Sequence, residues 1–503
     1  MKYNFHTNNF EEQDLFPHKI AIAGSDTDLS WQDLAHQCEL LQQIFKELQI
    51  PIGHPVVIYG HKEALFPVAM LACIQANIPY IPIDKIYPLE RVKKIIESTG
   101  SQILINCSNH SIDFSIAICI NVQLKIETFQ RPNYSNAIYG KVVDPLCYIM
   151  FTSGSTGEPK GVLISKSSLL TFVDWAAQDF KFNQHDVFLN QAPFTFDVSL
   201  CDVLNAFMRG ATLVLTPNEI VKNQEHFLQR IKQYQCSVWT STPSFAFLFL
   251  RHPNFNSSYL LHLKCFLFMG EPLPNRTCVI LKKAFNGISI LNAYGPTEAT
   301  IVTTLIEITD DILQKYSLLP IGKPMPASEL LIEKNNEHDM DGEIIIVGNH
   351  VADGYFKDKS LSAKKFVYHK ALKAFKTGDL GYYKDGLLFC VGRNDDQVKM
   401  NGFRIELNEI NTLILKHNNV EDAICIGLSR NAEVKKIIAF VILKQNKLAS
   451  ESINEIKATI QNSLPYYMMP GDFVPVDSFP LGTSHKVDKN KLVTQYLKEQ
   501  MGE

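Results

Sequence analysis

The sequence predicts an α/β chain with mostly parallel sheets, then a β-rich segment, and finally a small α+β C-terminal domain. Short apolar runs alternate with helical patterns over residues 16–103 and again after residue 211, as in parallel sheets covered by helices. A polar, turn-forming cluster at residues 392–396 separates β-type patterns from a mixed tail. Because 503 residues are too many for one hydrophobic core, we predict domains at 1–394 and 395–503.

Local signals place the first elements. Ser30 precedes an apolar stripe and Asp33 follows three residues later, a capping-box pattern that predicts the start of a helix. Residues 56–59 form a buried-strand run, residues 64–75 a helical pattern, and residues 80–84 another short strand. Strand–helix–strand units of this kind predict a parallel sheet.

A central stretch, residues 149–162, joins an apolar strand pattern to a run of hydroxyls and glycines followed by Lys160. Free backbone N–H groups, hydroxyls and a cation suit a loop that wraps phosphate oxygens, and a Ser/Gly-rich surface turn is the alternative. A Walker-type loop is excluded because Pro159 stands five residues after Gly154, where glycine is required. A nucleophile elbow is excluded because Ser155 directly follows Gly154.

Apolar runs after this loop predict further strands, at residues 211–215, 237–240, 265–269 and 288–291. Polar or glycine-containing turns follow the last three of these runs, at residues 242–244, 270–272 and 292–298. Because ligands bind beyond the carboxyl ends of strands in open α/β sheets, these turns predict one crevice. Later patterns predict a β-rich segment at 341–392, tail helices at 406–415 and 453–464, and tail strands at 423–428 and 437–443.

Composition excludes several functional classes. A net charge of −4 offers no basic footprint for nucleic acid or an anionic membrane. No apolar run reaches the ~18 residues of a membrane span, and residues 1–9 lack the apolar core of a signal peptide. The 11 cysteines are scattered without a C-x-x-C pair, a pattern typical of buried thiols in a reducing compartment. We therefore expect a cytoplasmic protein. Separately, we expect it to act as a monomer.

Two segments with polar side chains suited to ligands are candidates for a binding site. Residues 292–298 offer Tyr294 for stacking on adenine, Thr297 for an α-phosphate, and Glu298 for Mg²⁺. The alternative is a tight strand-to-helix turn with Glu298 in the first helical turn. Asp197 lies in an apolar stretch, where a carboxylate is costly unless it pairs with a cation such as an amino-acid ammonium. Its alternative is a helix cap.

The loop at residues 152–161, Thr-Ser-Gly-Ser-Thr-Gly-x-Pro-Lys-Gly, resembles the signature loop of the adenylate-forming (AMP-binding) enzymes. The similarity covers residues 30–492 and includes Tyr-Gly-x-Thr-Glu at 294–298, Thr-Gly-Asp at 377–379, Gly-Arg-x-Asp at 392–395 and residues 397–406. It implies the family's fold. In that fold a large N-terminal domain of α/β and β-rich subdomains precedes a small mobile C-terminal domain, which carries the catalytic lysine.

The resemblance implies ATP and Mg²⁺ as cofactors and assigns roles to residues. The nucleotide-binding set is Thr152, Ser153, Gly154, Thr156, Lys160, Asn292, Ala293, Tyr294, Gly295, Pro296, Thr297, Asp379, Arg393 and Lys486. The catalytic set is Lys486, Thr297 and Glu298, with Glu298 also the metal ligand and Asp395 the hinge. Asp379 would accept hydrogen bonds from both ribose hydroxyls. Lys486 would bridge the substrate carboxylate and the α-phosphate, where negative charge develops.

The implied substrate is a small amino acid. Asp197 would pair with its amine, while Met269, Ile301 and Lys486 would complete its site. The segments at 193–197, 241–245 and 268–274 look most like enzymes that activate D-alanine for a carrier protein.

Two departures from those enzymes stand out. Met269 occupies a position where they usually have cysteine, and a longer side chain there changes the volume left for the substrate. Ser484 and His485 precede the lysine where relatives usually have Asn-Gly.

The implied reaction has two steps. ATP and the amino acid give an aminoacyl-adenylate and pyrophosphate, and the thiol of a phosphopantetheinylated carrier protein then takes the aminoacyl group. Between the steps the tail would swing about Asp395 and present the region of Gly402. The alternatives are a stand-alone adenylation enzyme for another amino acid, a carboxylic acid–CoA ligase, and a relative that binds nucleotide without catalysis.

Overall fold

The computed structural model of the chain describes residues 1–11, 18–108, 114, 116–132, 134, 144–154, 158–334, 336, 338–430, 433–444, 449–480 and 487–501. Internal contacts divide the chain into two compact units. The first unit consists of Met1–Lys85, Ile95–Phe151 and Gly161–Asn394, and the second of Ile86–Lys94, Thr152–Lys160 and Asp395–Glu503. The segment predicted to bind phosphate therefore belongs to the same unit as the C-terminal segment.

The first third of the chain contains, in order, β1 (Lys2–Asn4), β2 (Asn9–Glu11), β3 (Ile20–Ala23), β4 (Asp28–Ser30), α1 (Trp31–Glu47), β5 (Val56–Gly60), α2 (Leu65–Ala76), β6 (Tyr80–Asp84), α3 (Leu89–Thr99), β7 (Ile103–Asn106), β8 (Ile118–Ile120), β9 (Ile126–Phe129), β10 (Leu146–Thr152) and β11 (Lys160–Ser165). Helix α1 has the predicted capping box, because Ser30 accepts from the Asp33 backbone N–H and the Asp33 side chain accepts in return.

The first sheet of the first unit has the described strand order β11-β10-β6-β5-β7-β8-β9. Strand β5 pairs in parallel with β6 and with β7, and β6 pairs in parallel with β10. Every residue of β5 and β6 is buried, which accounts for their unbroken apolar runs. The predicted parallel sheet is confirmed.

The middle of the chain contains α4 (Lys166–Asp179), β12 (Val187–Asn190), α5 (Val198–Arg209), β13 (Thr212–Leu215), α6 (Asn218–Val221), α7 (Gln224–Gln233), β14 (Val238–Ser241), α8 (Pro243–Phe247), β15 (Cys265–Phe268), α9 (Asn275–Ala284), β16 (Ser289–Tyr294), β17 (Thr304–Glu307), α10 (Asp310–Lys315) and β18 (Lys323–Pro324). They build a second sheet with the order β18-β17-β16-β15-β14-β12-β13-β3-β4. The strands from β3 to β16 in this order pair in parallel, and both ends of the sheet are antiparallel.

The predicted β-rich segment is confirmed as an antiparallel sheet. Its elements are β19 (Glu329–Glu333), β20 (Gly342–Val347), α11 (Lys359–Lys365), β21 (Phe366–His369), β22 (Leu372–Lys384) and β23 (Leu387–Arg393). The described order is β19-β20-β22-β21, with β23 also paired to β22. The β22–β23 pairing aligns Asp379 with Arg393 across the ladder.

The C-terminal segment is mixed α+β, as predicted. It contains β24 (Gln397–Met400), β25 (Phe403–Glu406), α12 (Leu407–Leu415), β26 (Val420–Arg430), β27 (Glu433–Leu443), α13 (Ala449–Gln461), β28 (Asp472–Pro475) and α14 (Lys489–Met501). Ile426, Ile438, Phe440, Leu492 and Tyr496 form a buried apolar cluster of its own.

Two chemical properties of the whole chain bear on its setting. The 11 cysteines are free thiols, and all except Cys390 are buried. Among the helices that the structure describes, we find none with the length and hydropathy needed to cross a membrane.

Candidate active site

A buried hydrogen-bonded triad lies in the first unit. Tyr294, the last residue of β16, donates its hydroxyl to Asp379 Oδ2 at 2.7 Å. Arg393 Nη1 donates to Asp379 Oδ1 at 2.5 Å, and its Nη2 donates to the Thr377 carbonyl at 3.1 Å. Burial, and next the negative charge of Asp379, hold the pKa of Tyr294 well above its usual value. The structure thus brings three residues of the predicted nucleotide site together.

The Thr-Gly-Asp motif lies inside strand β22. Gly378 has a φ of 77°, a left-handed conformation that favours glycine. Asp379 is 2% exposed, and each carboxylate oxygen already accepts one donor from the protein. A carboxylate only accepts hydrogen bonds, as binding to ribose hydroxyls requires.

The turn after β16 approaches the following chain closely. A Cβ on Gly295 would lie 2.5 Å from the Val302 Cα, so only glycine fits there. Thr297–Ala299 form a single 3₁₀ turn. The predicted tight strand-to-helix turn is therefore present, with Glu298 in the first turn of a 3₁₀ helix. Asn292 at the base of the turn donates its amide to the Pro320 carbonyl at 2.8 Å.

Glu298 is the candidate metal ligand. Its side chain is fully buried, and Oε1 accepts a hydrogen bond from the Tyr355 hydroxyl at 2.7 Å. In the described part of the chain, no group of three His, Cys, Asp or Glu side chains forms a ready-made metal site. A single carboxylate still fits Mg²⁺, which proteins usually bind through one or two carboxylates together with substrate phosphates.

The backbone after Glu298 is strained at two successive residues. Thr300 has a φ of 50° and Ile301 a φ of 73°, and a β-branched residue is rarely left-handed. His350 supports the segment: its carbonyl accepts from Thr300 Oγ1 at 2.6 Å, and its Nε2 lies 3.2 Å from Thr303 Oγ1. Strain of this kind persists only where neighbours fix the chain, so Ile301, which is 2% exposed, is held in place.

Asp197 directly precedes helix α5, yet it does not act as a helix cap. Its backbone is right-handed helical, with φ −64° and ψ −20°, and its carboxylate accepts no bond from the fully described first turn. The carboxylate is half-buried. The helix cap predicted as the alternative role of Asp197 is therefore wrong.

The carboxyl ends of neighbouring strands meet close to Asp197. Gly270 follows β15 with a φ of 87°, and a Cβ there would lie 3.4 Å from Thr242 Cγ2 and 3.9 Å from Val198 Cγ2. Met269, beside Gly270, is 1% exposed and donates its backbone N–H to the Ser241 carbonyl at 3.2 Å. The predicted convergence of strand ends is present, with Met269 and the start of α5 in it.

The described part of the segment predicted to bind phosphate is held inside the second unit by carboxylates. Gly154 donates its backbone N–H to Glu409 Oε2 at 3.0 Å. Lys160 Nζ lies 3.2 Å from Glu406 Oε1, and Arg91 Nη1 lies 2.6 Å from Glu409 Oε1. These N–H and ammonium groups are suited to any anion, including phosphate.

Other predicted site residues are placed as follows. Thr152 Oγ1 lies 3.5 Å from the Lys160 carbonyl, Ser153 Oγ donates to the Arg404 carbonyl at 2.8 Å, and Asp395 Oδ1 accepts from the Gln397 N–H at 3.3 Å. Ala293 is buried, and Pro296 precedes the 3₁₀ turn. Ser155, Thr156, Gly157, Ser484, His485 and Lys486 lie outside the described residues.

Sequence reasoning missed several groups in these networks. Tyr355 and His350 were not predicted, since neither belongs to a short motif and each meets its partner only in the folded chain. Glu406 and Glu409 stand three residues apart around the start of α12, a spacing that puts two carboxylates side by side. That pairing was a signal that could have identified them.

The chain was compared with known proteins. The family model described as AMP-binding enzyme matches residues 10–356, and the one described as AMP-binding enzyme C-terminal domain matches residues 409–486. A D-alanine--D-alanyl carrier protein ligase of Bacillus licheniformis is 36% identical over 485 residues, covering 95% of this chain and 96% of the relative. One of Bacillus anthracis is 34% identical over 489 residues, covering 95% and 97%.

Solved structures support the same fold. The Vibrio cholerae adenylation domain AlmE, in complex with glycyl-adenosine-5'-phosphate, superposes with a TM-score of 0.81 at 21% identity and covers 96% of this chain and 95% of that one. The o-succinylbenzoate CoA synthetase MenE of Bacillus subtilis gives a TM-score of 0.79 at 22% identity, covering 95% and 96%.

Proposed function

This chain belongs to the AMP-binding enzyme family and is an AMP-forming ligase, and we propose that it activates D-alanine and transfers it to a carrier protein. The near full-length similarity to D-alanine--D-alanyl carrier protein ligases supports the substrate. The observation that carries the proposal is Asp197, a half-buried carboxylate that does not cap its helix and lies beside converging strand ends.

We assign the amino-acid site to three described residues. Asp197 accepts hydrogen bonds from the ammonium group of D-alanine, which supplies the cation that a carboxylate in apolar surroundings needs. Met269 and Ile301 provide an apolar wall beside the α-carbon. The strained backbone of Ile301 supports this role, because it fixes a bulky side chain where a small substrate leaves little room for error.

The nucleotide is assigned to two sets of residues. In the first unit, Tyr294 and Asn292–Thr297 face the adenine and the α-phosphate, while Asp379 and Arg393 bind the ribose. We assign Thr152, Ser153, Gly154, Thr156 and Lys160 to the β- and γ-phosphates. The hydrogen-bonded triad of Tyr294, Asp379 and Arg393 supports the first assignment, since it fixes the carboxylate that must accept the ribose hydroxyls.

Adenylation joins the D-alanine carboxylate to the α-phosphorus of ATP and expels pyrophosphate. We assign Lys486 to the negative charge that develops on the oxygens of that phosphorus, and Thr297 to a hydrogen bond with the same phosphate. Glu298 would hold Mg²⁺, which supplies charge neutralisation at the phosphates. The Tyr355 hydroxyl supports this role because its hydrogen bond fixes the orientation of the Glu298 carboxylate.

In the second step the thiol sulfur of a phosphopantetheinylated carrier protein attacks the D-alanyl carbonyl. A thioester forms, AMP leaves, and the thiol proton is released. We place the pivot between the two steps at Asp395, the first residue of the C-terminal part of the second unit. We further propose that the enzyme acts as a monomer in the cytoplasm, in keeping with its free, buried cysteines.

Amino-acid-dependent exchange between ATP and pyrophosphate tests the proposal. We expect exchange with D-alanine to exceed that with L-alanine, glycine, serine or larger amino acids. Asp197→Asn keeps the size of the side chain but removes its charge, so it should raise KM for D-alanine strongly while leaving KM for ATP nearly unchanged. Preference for another amino acid would replace D-alanine as the substrate. AMP release that needs CoA and acetate or fatty acids would favour a carboxylic acid–CoA ligase.

A further inference from the structure

A buried ammonium group stands at the carboxyl end of strand β5. Lys62 is 0% exposed, and burial lowers its pKa to about 7, although the negative charge of Asp84 acts to raise it. Its Nζ donates to the Asn190 side-chain oxygen and, at 2.5 Å, to the Ala192 carbonyl. It also lies 4.1 Å from the centre of the Phe194 ring. The three N–H groups of the ammonium therefore have an amide oxygen, a carbonyl and an aromatic face as partners.

These partners belong to the other parallel sheet of the first unit. Strand β5 lies in the first sheet, whereas Asn190 is the last residue of β12 in the second. Phe66, at the start of α2, stacks on Phe194 with ring centres 4.6 Å apart and an interplanar angle of 23°. Lys62 and Phe66 thus tie the first sheet to the segment that leaves the second, residues 191–197.

The far end of that segment is tied to the same asparagine. Asn190 Nδ2 donates to the Ser199 carbonyl at 3.0 Å and to Asp202 Oδ2 at 3.1 Å, and both residues lie on α5. The oxygen of this amide faces Lys62 and its nitrogen faces α5. Asp197 therefore lies at the end of a short segment, residues 191–197, and the hydrogen bonds of Asn190 hold the chain on both sides of this segment.

We propose that Lys62 is a positioning residue for the amino-acid site, because it fixes the segment that presents Asp197 to the substrate amine. This inference rests on the proposed role of Asp197. A fully buried cation is costly, and an apolar side chain of similar length would fill the same space. The ammonium group differs from such a side chain because it donates hydrogen bonds to Asn190 and Ala192, and these bonds fix the backbone position of residues 191–197. Because Asp197 holds the ammonium group alike in the ground state and in the transition state, displacing Asp197 weakens binding of the amino acid and raises KM more than it lowers kcat.

The test compares Lys62→Met with a matched control in the full-length chain. Methionine keeps the length of the side chain and removes its charge and its donors. Lys19 makes the same kind of contact at the opposite ends of β12 and α5, where its Nζ donates to the Gln184 carbonyl and, at 2.9 Å, to the Gly210 carbonyl. Lys19→Met therefore loosens the same strand and helix away from Asp197.

We expect Lys62→Met to raise KM for D-alanine about 10- to 100-fold in ATP–pyrophosphate exchange, with KM for ATP and kcat changed much less. Lys19→Met should leave KM for D-alanine near the wild-type value. An equal rise in both KM values for Lys62→Met, or a D-alanine-specific rise for Lys19→Met, would overturn the positioning role. If Lys62→Met does not fold, Phe194→Leu removes the aromatic partner of Lys62 together with the stack on Phe66, and must raise the same KM by a smaller factor.

Hydrogen–deuterium exchange gives a readout that does not depend on the identity of the substrate. Lys62→Met should increase amide exchange in residues 191–199, and Lys19→Met should not. Wild-type protein that activates no amino acid would refute the proposed function and the link to the substrate amine. Unchanged exchange in residues 191–199 would refute the anchoring itself. If wild type prefers another amino acid, the KM comparison is made with that one.

Discussion

Acidification should destabilise the first unit through one buried histidine. His350 is 0% exposed, with Nε2 3.2 Å from Thr303 Oγ1 and Nδ1 3.2 Å from Ser328 Oγ. Burial lowers its pKa from 6.5 to about 4, so the folded chain keeps the imidazole neutral. Below pH 6.5 His350 binds a proton in the unfolded chain but not in the folded chain. The free energy of unfolding therefore falls as the pH falls, until the pH drops below the pKa of His350 in the folded chain.

The size of this effect follows from the two pKa values. At pH 5 the unfolded imidazole is almost fully protonated, whereas the folded one is still mostly neutral. Protonation then favours the unfolded state by about 2 kcal/mol relative to pH 8, where neither state is charged. The loss should begin near pH 6.5 and be complete near pH 4. Because His350 supports Thr300 through its carbonyl, the strained segment before Ile301 lies beside the affected site.

Urea unfolding followed by tryptophan fluorescence measures this loss in the first unit. The chain's 3 tryptophans, Trp31, Trp175 and Trp239, all belong to that unit and are buried. His350→Gln removes the titrating group, so its free energy of unfolding should fall by about 2 kcal/mol less than that of wild type between pH 8 and pH 5. The exposed His185 provides a control, since His185→Gln should behave as wild type. Equal losses in wild type and His350→Gln would refute the reasoning.

Three further predictions concern the second unit and Lys486, the lysine to which we assign adenylation. Lys486→Ala should slow adenylation about 10²–10³-fold while thioester formation from preformed D-alanyl-AMP is less affected, and single-turnover assays of each step would detect the opposite pattern. Arg91→Met leaves the buried Glu409 without its cation and should destabilise the second unit by about 3–5 kcal/mol, measured by hydrogen exchange of α12; Arg91→Lys should be milder. Glu406→Gln should lower KM for ATP about fivefold, equivalent to about 1 kcal/mol, because phosphate no longer competes with a carboxylate for Lys160; an unchanged KM would contradict this.

The elements that could be predicted are those with local signals. The capping box at Ser30 predicted α1, and apolar runs predicted β5, β6 and four strands of the second sheet, β13 to β16, to within a few residues. Boundaries shifted where pairing extends a strand beyond its apolar run, as in β26, which continues to Arg430 beside β27. Tertiary pairing, not local preference, decides such ends.

The site could be predicted only as far as short motifs reach. The motifs named Tyr294, Asp379 and Arg393 separately, and the fold then joined them in one network. Lys62 and Tyr355 belong to no short motif, and the sequence alone does not show whether the polar atom of a lysine or a tyrosine has a partner in the folded chain. Each residue meets its partner across a long stretch of sequence. Lys62 and Asn190 are 128 positions apart, and Tyr355 and Glu298 are 57 positions apart.

The carboxylates around the phosphate loop set a condition on nucleotide binding. Gly154 N–H already donates to Glu409, and the Lys160 ammonium already faces Glu406. A phosphate that uses the same donors must displace these carboxylates, so the affinity measured for ATP is the intrinsic affinity reduced by the fraction of molecules in which the donors are free. The same competition acts in reverse when pyrophosphate leaves, because the donors then regain protein acceptors and are not left unpaired. Removing the charge of Glu406 should therefore tighten ATP binding and also slow pyrophosphate release. The contacts with Glu406 and Glu409 oppose the binding of phosphate and assist its departure.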